Sequence, residues 1–288
     1  MMKKILILIM AVFLPLAASA QAQINTKKAK IADFANKITK VVLPGNPFYD
    51  GAFQEEIASR WRISPYEFCT LQEFEELKNS EQYYFILLTQ GQFKKESEPG
   101  IQFLTLVKGG ADAAKGIDSM LEIATLPFAA ADFPSGRELI FLPALLDIMQ
   151  SYTLASIEKD FTSLGGLSAF ASNISKADNM SIAFSEDDLS DEITESIIES
   201  SFDKKMSVMD EDEVDELADG ETPNTLVSYV IAPEEPAAGS FCYKLLIDTH
   251  THELYYFRKH RIGKKLSSGF LAEDIKRITS PRSKLRKE

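Results

Sequence analysis

The residues best equipped for chemistry lie in "IDTHTHELYYF", Ile247–Phe257. Two of the chain's three histidines stand there one residue apart, and the third, His260, follows closely. On a β-strand, residues i and i+2 share a face, so His250 and His252 could both present imidazole to zinc or copper. Asp248, Glu253 or His260 would then complete the site. A zinc centre needs three or four ligands at fixed geometry, and one His-x-His supplies two. The same stretch equally suits a strand turning back on itself, where polar and turn-forming residues belong. A hairpin is the expectation, and a metal site at His250, His252 and His260 is the alternative.

Other chemistry is sparse. The chain has no Gly-x-Ser-x-Gly, no phosphate-binding glycine loop and no His-Glu-x-x-His, so no catalytic residue and no cofactor is implied. Cys69 and Cys242 could pair as a disulfide in an oxidising compartment, and neither has a neighbour that would activate a thiol. Asp50 and Asp191 sit near expected helix starts, where a carboxylate favours the positive end of the helix dipole. Gly165 and Gly166 read as a break between helices.

The elements that must position these residues belong to an ordinary globular chain of 288 residues, 45% hydrophobic and 26% charged. Forty-three acidic residues against 31 basic ones, a net charge of −12, argue against nucleic acid and against general adhesion to anionic membranes. Basic residues gather late, in "KRITSPRSKLRKE", with 282–288 as a basic tail. The start, "MMKKILILIMAVFLPLAASAQAQ", has the order of a secretory signal peptide over residues 1–20: a basic start, a short apolar run, then small residues. The run is too short to span a bilayer. Export to the periplasm or cell exterior is the expectation.

Laid over itself, the chain shows an internal duplication. Lys40–Trp61 lies over Ser181–Phe202 without a gap, "YEFCTLQEFEELK" over "MSVMDEDEVDELA", "YYFILLT" over "TLVSYVI", and "GIQFLTLV" over "CYKLLIDT". Each copy reads as a buried strand, an amphipathic helix, a strand and a second helix. The second helix opens on a capping pattern, Thr70-x-x-Glu73 or Asp210-x-x-Glu213. Two strands and a final helix follow, "AAKGIDSMLEIATL" in copy one and "GFLAEDIKRI" in copy two. The expected fold is α/β: two tandem β-α-β-α-β-β-α modules with mixed sheets, residues 38–126 and 180–281, joined by a helical connector at 127–179. The apolar 139–149 segment should be buried between the copies or form a homo-oligomer contact, with Pro143 kinking or restarting its helix.

The second copy resembles the amino-terminal α/β module of TolB and related modules of curli-secretion and penicillin-binding-protein-activator lipoproteins. The residues that carry the resemblance are Leu246-Ile247-Asp248, Thr251-His252-Glu253 and Leu254-Tyr255. The first copy departs from it, having no clear return strand after "FLTLVKGG". The resemblance implies an envelope module that works by contacting other proteins without catalytic residues. The functional expectation is therefore a non-catalytic cell-envelope adaptor binding through the groove between copies or through loops Gln90–Pro99 and Ala232–Ser240. A metal-binding protein or hydrolase, or a small-ligand receptor with a cleft between repeats, are the alternatives.

Overall fold

The computed structural model describes residues 31–284 apart from 94–95, 97, 132–133, 159–165, 168–171 and 238. The expected signal peptide and most of the basic tail lie outside the described residues. No helix among those described is long and apolar enough to cross a membrane.

The duplication is visible as two five-stranded mixed sheets with one strand order. The first unit contains β1 (Ile38–Val42), β2 (Tyr66–Cys69), β3 (Tyr83–Gly91), β4 (Ile101–Lys108) and β5 (Leu121–Ala130), in the order β2-β1-β3-β4-β5. The second contains β6 (Ser181–Ser185), β7 (Met206–Met209), β8 (Thr225–Ile231), β9 (Phe241–Asp248) and β10 (Leu254–Arg261), in the order β7-β6-β8-β9-β10. In each sheet the first three strands of that order are parallel and the last three antiparallel.

The helices correspond as well. Helix α1 (Pro47–Arg60) is capped by Asn46, with Pro47 at its first position and Asp50 in its first turn. Helix α2 (Leu71–Leu77) opens on a complete capping box: Thr70 Oγ1 accepts from the Glu73 amide at 3.2 Å, and Glu73 accepts from the Thr70 amide at 2.7 Å. Helices α3 (Arg137–Ile140) and α4 (Leu142–Glu158) close the first unit, with the break just before Pro143. In the second unit α5 (Glu195–Ser201), α6 (Glu211–Asp219, capped by Asp210) and α7 (Ala272–Lys284) follow the same plan.

One element differs from the sequence expectation. The segment expected as the closing helix of copy one forms two 3-10 turns, Ala111–Lys115 and Ile117–Ser119, and then strand β5. Gly116, at φ +113°, breaks the segment. Pro127 is tolerated because β5 pairs only with β4 and lies at the edge of the ladder. Copy one thus has a return strand, β5, and each unit is β-α-β-α-β-β-β-α. The closing helix of copy one is α4, in the place that α7 takes in copy two.

The units meet head to tail. The first unit packs α1 and α4 on one face of its sheet, with Phe53, Ile57, Trp61 and Leu145 over Tyr84, Ile86, Leu104 and Leu106. The same cluster continues into the second unit through Val214 of α6 and through Val227, Tyr229, Leu245 and Ile247. The face of the second sheet that carries α6 therefore joins the core of the first unit. Its opposite face packs separately against α7 through Ile275 and Ile278. Along α4, Leu142, Leu145, Leu146, Met149 and Tyr152 are all buried, so that helix closes the core within one chain rather than offering its apolar side to a second copy.

Polar residues fix this junction. Arg137 is buried and donates to Asp215 at 2.7 Å, to Asp188 at 3.0 Å and to the Ser228 carbonyl at 3.3 Å. Its guanidinium lies 5.4 Å and 5.5 Å from the Phe141 and Tyr229 ring centres, and those rings stack at 4.1 Å. The next residue, Glu138, is also buried and accepts from Tyr49 of α1. Arg137→Met would leave Asp188 and Asp215 without their partner, and is expected to cost about 3–5 kcal/mol in urea denaturation. Because the two units share one core, wild-type unfolding should be a single transition, with tryptophan fluorescence and circular dichroism coinciding. Two separated transitions would contradict a shared core.

Candidate functional site

The structure separates the three histidines. β9 and β10 form an antiparallel hairpin, and the Asp248 carboxylate accepts from the His250 and Thr251 amides at 2.8 and 2.9 Å to make its turn. His250 is exposed in that turn. His252 is buried at φ +56°, and its Nδ1 meets Asp147 Oδ2 of α4 at 2.7 Å; Arg60 of α1 donates to the same oxygen at 3.2 Å. His252 is thus part of the junction between units. His260 lies on β10, with Nε2 2.8 Å from the Ser267 carbonyl, and burial lowers its pKa. That contact makes Nε2 the protonated nitrogen. The shared strand face assumed for His250 and His252 does not exist, because both fall in the turn. Among the described residues no group of three His, Cys, Asp or Glu side chains could hold a metal ion.

Cys69 and Cys242 are free, buried thiols in different sheets. Burial pushes the Cys69 thiol up to about 11 and the Cys242 thiol up to about 12, so both stay protonated near neutrality. Asp50 accepts from the Gly45 amide at 2.9 Å, whereas Asp191 lies in a turn ahead of α5 whose amide donates to Ser267. The two do not converge. Gly165 lies outside the described residues. The two loops expected as binding surfaces meet one another: Glu96 accepts from Ser240, and Phe93 packs on Phe241 at 4.8 Å. Along the shared core the two units pack directly against each other.

A cavity lies elsewhere, on the face of the first sheet that carries α2. It measures about 620 Å³. Strand register shows what this face is. In the first unit Leu87 pairs with Thr105 and Thr105 with Thr125; in the second, Tyr229 pairs with Leu245 and Leu245 with Phe257. One row over, Phe85–Val107–Glu122 matches Val227–Ile247–Leu254. The groove is therefore the counterpart of the face that, in the second unit, is covered by the first unit through Arg137, Phe141 and β5. Tyr229, for instance, donates its hydroxyl to the Phe128 carbonyl of β5 at 2.5 Å.

The substitutions between the two faces follow from that difference in cover. Ile231, Leu245, Phe257 and Leu254 become Thr89, Thr105, Thr125 and Glu122. Thr89 and Thr105 hydroxyls lie 2.9 Å apart, and Thr125 donates to Thr105 at 3.4 Å, forming a polar line across three strands. Beside it, Glu122 Oε1 is out of contact with solvent and accepts no hydrogen bond. Burial pushes the Glu122 carboxyl up to about 7, opposed by the Thr125 hydroxyl and reinforced by the charge of Asp118. Leu71 projects at the rim, 62% exposed, and Phe103 closes the far end against Tyr243 at 5.6 Å. None of these residues stood out in the sequence as a site.

No family model, no curated protein and no solved structure matches this chain. The likeness between its own two units identifies the groove.

A raised carboxyl pKa in the folded state makes that state the better proton binder between about 4.5 and 7. Glu122 thus contributes stability that is present at low pH and lost as pH rises through about 7. Glu122→Gln is expected to flatten the decline in stability between pH 5 and 8, measured by urea titration. An unchanged slope would place the carboxyl in water.

Proposed function

We propose that this protein acts by binding, as a non-catalytic adaptor of the cell envelope, and that the open face of the first sheet is where a protein partner lies. One observation carries the reading. The same face exists twice, and in the second unit it receives protein, with Phe141 stacked on Tyr229 and Arg137 reaching Asp215. In the first unit it is left as a groove of about 620 Å³ with an exposed leucine at its rim. A sheet face that remains half apolar while its twin is covered is suited to a partner's side chains. Export and placement in the envelope rest on the form of the first twenty residues and on the resemblance of the second unit's hairpin.

The test is site-specific photo-crosslinking of the full chain in its native envelope. A photoreactive residue at position 71 should give one dominant protein adduct, and the same residue at position 277 on α7 should not. Thr89→Trp, which fills the groove, should abolish the adduct without lowering the melting temperature by more than a few degrees. Persistence of the adduct in Thr89→Trp, or equal capture from position 277, would contradict the assignment.

A further inference from the structure

Resting on the reading of the groove as a protein-binding face, we propose that its occupant is an apolar segment that delivers one lysine or arginine side chain to Glu122. Among the described residues, the charged ones lining the groove are Glu75, Asp118 and Glu122, with no lysine or arginine. Lys108, adjacent to the Glu122 partner Val107 on β4, is turned away onto Asp33 at 2.8 Å. Lys78 meets Glu75 along α2, one turn on. Among the described residues nothing basic therefore answers Glu122, whose Oε1 is buried without a hydrogen bond, and the Thr125 hydroxyl beside the carboxyl is shared with Thr105. A buried acceptor without a donor is costly, and a cationic donor is the partner that relieves it most.

The remaining walls define what must accompany that charge. Leu71 and Ile117 present apolar surface at the mouth, over a floor of buried Leu87, Phe103 and Met120. A free small cation would satisfy Glu122 and leave Leu71 and Ile117 uncovered at the mouth, whereas a peptide segment with apolar side chains beside its basic residue covers both. The chain already uses this combination on its other copy of the face. Arg137 places its guanidinium on Asp215 of α6 while Phe141, four residues later, lies on Tyr229. Glu75 holds the place on α2 that Asp215 holds on α6, each the fifth residue of its helix.

The experiment uses the full chain and two fluorescent helical peptides, each with leucines along one face and either a single central lysine or norleucine in its place. Anisotropy should give at least tenfold tighter binding of the lysine peptide at pH 8. That preference should shrink by about tenfold at pH 6, where the carboxyl holds its proton. Glu122→Gln should remove both the preference and its pH dependence, while Leu71→Asp should weaken both peptides alike. Equal binding of the two peptides, or a preference that survives Glu122→Gln, would overturn the assignment to Glu122 and leave the groove as a binding face. Failure of both peptides to bind, alongside a groove-dependent adduct from position 71, would overturn it as well.

Discussion

The architecture depends on a buried arginine beside a buried glutamate. Arg137 and Glu138 are consecutive, yet each serves a different unit: Arg137 is held by Asp188, Asp215 and the Ser228 carbonyl of the second, and Glu138 by Tyr49 of the first. Taking a guanidinium out of water is expensive, and this one is tolerated because carboxylates, a carbonyl and two aromatic faces replace its hydration. Burial by itself would lower its pKa, and the Asp188 and Asp215 charges raise it instead, so it stays charged. Such a site cannot be shared loosely. It fixes which face of the second sheet meets the first unit, and the apolar core forms around that choice.

A head-to-tail contact between similar units has a consequence that a two-fold contact lacks. In a two-fold arrangement the same face of each unit is used, and none is left over. Here one unit offers its α4 side and the other its α6 side, so each has an unused counterpart at the far end. At the second unit's end the unused counterpart is α7, whose outward residues Glu273, Lys276, Arg277 and Ser280 are polar and exposed, unlike the apolar flank of α4. That end is capped, as terminal units of repeat proteins are. At the first unit's end the unused counterpart is the groove. It is only partly capped: threonines and a glutamate replace the aliphatic and aromatic residues, but Leu71 remains exposed at the rim.

Much of the frame was legible in the sequence because local chemistry agreed with it. The duplication, the strand pairs, the Thr70 and Asp210 caps and the restart at Pro143 all follow from patterns within a few residues. Strand β5 was not legible, since "AAKGIDSMLEIATL" spaces its apolar residues as a helix would and Pro127 speaks against a strand. Only the edge position of β5 makes Pro127 acceptable. That one element hid the groove, because Glu122 and Thr125 lie on it and could not be aligned with Leu254 and Phe257. With β5 in place, the polar replacements at four matched positions are the signal that finds the site. The histidines misled for a related reason: their two-residue spacing means a shared face only inside a strand, and Asp248 starts a turn before them.

One face occurs twice: in the second unit the first unit covers it, and in the first unit α2 and the 3-10 turns cover part of it and leave a groove at Thr89. Thiol labelling of two single-cysteine additions tests it directly, at Thr89 in the groove and at its covered counterpart Ile231. Cys69 and Cys242 are buried and add little background. Thr89→Cys should react with a charged methanethiosulfonate reagent at a rate approaching that of an exposed thiol. Ile231→Cys should react only as fast as the whole protein unfolds. Comparable rates at the two positions in the folded protein would contradict the account.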